Sequence, residues 1–138
     1  MSYNINFADH GKGLIFKRSA GSASNSSDFA QAIVNFFQEH KSSLAAVRYV
    51  YLDYTEADKL KLSNVDIMRF VEIAKIIALD NKQLIVAICA PQFDNYCITK
   101  QWEVHLPDEF GWKTMAFRDQ DKALGWLKMV VQEDLTFT

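Results

Sequence analysis

Trp112-Lys113-Thr114-Met115-Ala116-Phe117-Arg118-Asp119-Gln120-Asp121-Lys122-Ala123-Leu124-Gly125-Trp126-Leu127 joins two elements with no spacer between them. Residues 112–117 read as a buried strand. Asp119 reads as the N-cap of the helix that follows, since its carboxylate accepts from the free N–H groups of a first turn. Ala123, Trp126 and Leu127 then share one inward face. A strand running straight into a helix predicts a parallel α/β architecture.

The same alternation repeats upstream. Gln83 to Ala90 is a continuous apolar run ended by Pro91, the pattern of a strand covered on both faces. A helix capped by Asp94 or Asn95 follows it and reaches His105, closed by Pro107 and Gly111. Ala46 to Asp53 is rich in β-branched and aromatic residues and predicts another strand. Beyond a loop through Leu62, Ser63 reads as the N-cap of a helix over 64–80, with Asp66 at its third position. The polar stripe of that helix is narrow (Asp66, Arg69, Glu72, Lys75), which predicts that it is largely buried. Asn25 and Asp28 resemble a capping box. Phe29, Ile33, Phe36, Phe37 and His40 then fall on one helical face. The Gly21–Ser27 stretch reads as a flexible loop. Tyr3–Phe7 and Leu14–Lys17, joined by a turn over 9–13, read as a hairpin. The acidic tail from Gln132 to Thr138 reads as an end that frays.

The expected fold is therefore α/β, one domain over 1–138. It has a four- or five-stranded, mostly parallel sheet and about four helices, with hairpin strands within 1–20. At 138 residues with 49% hydrophobic content, such a chain buries roughly two-thirds of its unfolded surface and needs no covalent staples.

The formal net charge of −2 and the lack of any Lys/Arg run give no electrostatic footprint for nucleic acid. Two cysteines, Cys89 and Cys97, are too few for a disulfide framework. No basic region precedes an apolar stretch at the N-terminus, and no apolar run approaches the ~20 residues of a membrane span. A soluble, cytoplasmic protein is the expectation.

Asp53 and Thr55 fall at the carboxyl end of a central strand, where open α/β sheets bind ligands; Asp53 also suits a loop anchor that accepts backbone N–H bonds. Cys97 lies near a helix N-terminus, which favours a thiolate. Asp53, Thr55 and Cys97 are thus the residues of a conceivable enzyme. Ser63 would place a phosphate on a helix N-terminus, and equally reads as a plain cap. Tyr54, Tyr96, Trp102 and Trp112 suggest an aromatic pocket or a self-association surface. His10, His40 and His105 lie at no metal-ligand spacing, so no metal is expected. Gly11 and Gly13 precede a strand rather than a helix, so they form no phosphate loop. No cofactor is implied.

Three stretches resemble the small bacterial STAS-like proteins, relatives of the anti-sigma-factor antagonists. One is Tyr49-Val50-Tyr51-Leu52-Asp53 with Thr55. Another is Ala90-Pro91 leading to Tyr96-Cys97-Ile98-Thr99-Lys100-Gln101-Trp102-Glu103. The third is Phe117-Arg118-Asp119 with Ala123-Leu124-Gly125-Trp126-Leu127. Cys97 stands where the family usually has Gly, and Lys100 where it has Arg. Leu62-Ser63-Asn64-Val65-Asp66 occupies the place of the phosphorylated motif of the antagonists but lacks its acid and its Gly. The resemblance implies a βα superhelix and a non-enzymatic interaction or regulatory module, self-associating as a dimer or bound to a protein partner. Asp53, Tyr54, Thr55, Ser63, Tyr96, Lys100 and Trp102 would form its partner surface. A second reading, by analogy of fold, is a binder of a small apolar ligand such as a lipid, which requires an apolar cavity of several hundred Å3.

Overall fold

The computed structural model describes residues 3–18, 26–57, 64–106 and 111–138. Its elements are β1 (Tyr3–Ala8), β2 (Gly13–Arg18), α1 (Ser26–Glu39), the short α2 (Lys41–Leu44), β3 (Tyr49–Asp53), α3 (Asn64–Asp80), β4 (Ile85–Cys89), α4 (Phe93–His105), β5 (Lys113–Phe117) and α5 (Gln120–Val131). The caps expected at Asn25 and Ser63, the side chains of Asp28, Phe29 and Asp66, Pro107 and most of the 21–27 loop lie outside the described residues.

The five strands form one mixed sheet in the order β1-β2-β3-β4-β5. β1 and β2 pair antiparallel as the expected hairpin, Tyr3 against Arg18 and Ala8 against Gly13. β2, β3, β4 and β5 then run parallel. Side chains alternate along a strand, and the two faces carry different cores. Val50, Val86 and Ile88 face one side, where Phe36 and Phe37 of α1 and Ile98 and Trp102 of α4 pack. α3 lies between α1 and α4 on that side. Tyr49, Tyr51, Ala87 and Cys89 face the other side, covered by Ala123, Leu127 and Val131 of α5. Burial on both faces explains why β4 has no polar residue.

Several expectations change. β5 is an edge strand of the sheet, and Lys113 and Met115 are exposed rather than buried. The edge N–H of Ala116 donates to Glu103 Oε2 at 3.0 Å, so α4 closes part of that edge. α4 begins at Phe93 after Gln92, with no side-chain cap, so neither Asp94 nor Asn95 caps it. The short α2 brings the number of α-helices among the described residues to five. Finally, α3 is not largely buried: Val65, Met68, Ile76 and Leu79 are 45 to 77% exposed. Ile67, Val71, Ala74 and Ala78 supply its buried side. A helix that is apolar on two sides has one side left over once the sheet is covered.

Asp119 caps α5 as expected, accepting from Lys122 N at 3.1 Å. The chain beyond α5 turns back through Gln132, which is left-handed at φ 59. Leu135 is buried in the α5-side core. The Phe137 ring meets Tyr49 edge-on, with centroids 5.7 Å apart. Polar composition suggested a fraying tail, but Asp9 holds it: its carboxylate accepts from Thr136 N at 2.7 Å, Thr136 Oγ1 at 2.9 Å and Phe137 N at 3.1 Å.

Candidate functional site

The residues singled out from sequence fall into three separate places. The first is the turn after β3. Asp53 is buried, and its Oδ1 accepts from Thr55 N at 2.9 Å and Thr55 Oγ1 at 2.6 Å. That geometry anchors a loop. The cysteine in register with Asp53 is Cys89, on the neighbouring strand. Burial pushes the Cys89 thiol up, and the nearby Asp53 carboxylate adds to the shift, so it is held protonated and a poor nucleophile. Burial likewise pushes the Tyr51 hydroxyl up, again with Asp53 contributing. Cys97 is exposed on α4, and its side chain makes no hydrogen bond or ion pair among the described residues. The structure brings Asp53 and Thr55 together and leaves Cys97 apart from them.

The second place is a cavity of about 120 Å3 between the sheet and α1, α3 and α4. Tyr54, Trp102 and Trp112 all line it, with Val50, Ile67, Ile88 and Thr99 among its other walls, while Tyr96 does not. Burial pushes the Tyr54 hydroxyl up to about 12, against the opposing pull of Arg18, which also lines the cavity. The Trp102 Nε1 atom is buried and has no hydrogen-bond partner among the described residues. The indole of Trp112, by contrast, donates to the Asn81 carbonyl at 2.8 Å.

The third place is the half-buried side of α4 that faces the β5 edge. Lys100 Nζ lies 5.7 Å from the centre of the Tyr96 ring and 3.1 Å from Glu103 Oε2. The spacing of these three residues along a helix puts them on one side. Arg118 joins the loops after β4 and β5 by donating to the Pro91 carbonyl at 3.2 and 3.1 Å. Its guanidinium stacks 5.6 Å from the exposed Phe93 ring. Ser63 lies outside the described residues.

Sequence reasoning missed Glu103 and the outer face of α3. Glu103 had a signal, being one turn from Lys100. The α3 face had one too, since its polar residues are too few to cover the exposed half of a helix.

Among the described residues no cluster of three His, Cys, Asp or Glu side chains is arranged to hold a metal. No helix is long and apolar enough to cross a membrane. No protein-family profile, curated protein or solved structure matches the chain.

Proposed function

We propose that the protein is a STAS-like interaction or regulatory module rather than an enzyme. The observation that carries this reading is the outer face of α3, where four large apolar side chains stand open on the central helix of one layer. Apolar side chains exposed along one helix face mark interaction sites, and covering them is favourable at ~25 cal/mol per Å2. The motifs shared with STAS-like proteins support the same reading.

The test is differential capture. The natural chain and its Ile76→Asp variant, immobilised in parallel, are exposed to host extract. A protein retained by the first and lost from the second is the expected result. Identical retained sets overturn the α3 face as the functional surface. Ile76 is exposed, so the variant is expected to keep its melting temperature within a few degrees.

The cavity favours a second reading, a small apolar ligand. Its volume of about 120 Å3 is below the several hundred expected for a lipid. It is close to the ~150 Å3 of an engineered apolar cavity known to bind benzene. Indole and benzene in saturated buffer should raise the melting temperature by a few degrees, and a Thr99→Leu variant that fills the space should abolish the rise. No shift with either compound removes this reading.

A further inference from the structure

Among the described residues three buried side-chain polar atoms have no hydrogen-bond partner: the Tyr51 hydroxyl, Thr114 Oγ1 and Trp102 Nε1. A buried polar group left in this way is costly and calls for a reason. A hydroxyl can rotate to find an acceptor. An indole N–H cannot: it only donates, in the one direction its ring sets. Of the three residues, Trp102 lines the apolar cavity, and Tyr51 and Thr114 do not.

Two other donors on the cavity wall already have acceptors. Thr99 lies three positions before Trp102, on the same side of α4, and its hydroxyl donates to the Tyr96 carbonyl at 2.8 Å. The Trp112 indole donates to the Asn81 carbonyl. Arg18 has interactions of its own within the chain. Leu52, Ile73, Val86 and Ile88 line the cavity with hydrocarbon. A Phe at position 102 would close this wall without stranding a donor, so the N–H is the atom to be explained.

We infer that the cavity takes a small neutral molecule that is apolar except for one carbonyl oxygen, which accepts from Trp102 Nε1. The inference rests on the reading of the cavity as a ligand site and names the class of ligand. A plain hydrocarbon fills the space but leaves the indole unpartnered. An alcohol brings a donor of its own that needs a second acceptor. A carboxylate loses its hydration among hydrocarbon walls. A ketone supplies the missing acceptor and nothing else. The volume of about 120 Å3 limits it to a ring or short chain near the size of benzene.

Cyclopentanone and methylenecyclopentane test this as a matched pair. They share one shape, have as many non-hydrogen atoms as benzene, and differ only in an oxygen against a CH2 group. Neither carries a ring current, so a shift of an indole proton on binding reports its hydrogen bond. Each compound is titrated into the nitrogen-labelled full chain, and the indole signals of its three Trp residues are followed after assignment through bonds. Cyclopentanone should move the Trp102 N–H signal downfield, and methylenecyclopentane should not. Trp102→Phe should weaken cyclopentanone about tenfold, as loss of one neutral hydrogen bond does, and the hydrocarbon by less than about threefold. The shift is read in the natural chain, so the test stands even where the variant fails to fold. Binding of both compounds with no downfield shift, or with equal losses on Trp102→Phe, overturns the carbonyl ligand and leaves the cavity as a site for hydrocarbon. Butyrate binding more tightly than cyclopentanone overturns the neutral class. Binding of neither cyclic compound overturns the inference together with the cavity reading.

Discussion

Gly13→Ala should be among the most damaging single substitutions in the chain. Gly13 pairs with Tyr49 across β2 and β3, and the Tyr49 ring lies directly over it. A Cβ at Gly13 would sit 2.0 Å from Tyr49 Cζ and 2.2 Å from its hydroxyl oxygen. The ring has nowhere to go: Tyr49 is fully buried, its hydroxyl donates to Asp9, and Phe137 closes its edge. Overpacking of a rigid site costs ~1–3 kcal/mol and occasionally more. We expect ~3 kcal/mol here, a fall in melting temperature of ~10 °C for a domain of this size. A double-mutant cycle identifies the cause. In a Tyr49→Val background the ring is gone, and Gly13→Ala should cost less than ~1 kcal/mol. Equal costs in both backgrounds would show that the collision is not the reason.

Asp9→Ala should be nearly as costly and should act on the far end of the chain. Asp9 is 8% exposed. Burial alone pushes its carboxyl up, but hydrogen bonds from Tyr49, from the Thr136 N–H and hydroxyl and from the Phe137 N–H outweigh it, bringing the pKa down from 3.8 to about 2. Because the folded value lies below the unfolded one, the carboxylate's contribution is complete above pH 3.8 and is lost as pH falls towards 2. A depression of that size is worth about 2 kcal/mol. Asp9→Ala should therefore cost ~2–4 kcal/mol at neutral pH, since it also strands the buried donors. Hydrogen exchange at Thr136 and Phe137 should rise at least tenfold, while exchange in β4 rises less. Asp9→Asn should flatten the loss of stability between pH 4 and 2. A variant whose tail stays protected would show that Leu135, Phe137 and the backbone bond from the residue 9 N–H to the Thr138 carbonyl hold it without the carboxylate.

The parallel order of the strands was legible because each strand and its following helix are contiguous and differ in period. Gln83–Ala90 and Ala46–Asp53 announce themselves by composition, and Asp119 by its place before a helix. What local pattern does not carry is which strand is the edge. Residues 112–117 are apolar enough to read as buried, yet only one side of β5 has a neighbouring strand. The Asp9 contacts were illegible for a related reason. They join residues 127 positions apart, and nothing local in Thr136-Phe137-Thr138 hints at a partner. The candidate surface was read as one patch, since its residues flank the carboxyl ends of the strands. Strand alternation sends Asp53 and Tyr54 to opposite faces, and helix periodicity sends Lys100 and Trp102 to different sides of α4.

The α3 face is where sequence and structure diverge most usefully. Apolar residues around most of a helix predict burial, and within a single chain α3 has only one side to bury. The measurement that tests this most directly is hydroxyl-radical oxidation of Met68 with and without host extract, with Met129 on α5 as the internal reference. Both are exposed in the single chain, so in the purified protein both should oxidise readily. In extract, Met68 should be protected several-fold relative to Met129. A Met68 whose rate relative to Met129 is the same in both, or that is already slow in the purified protein, would contradict an open face that a partner covers.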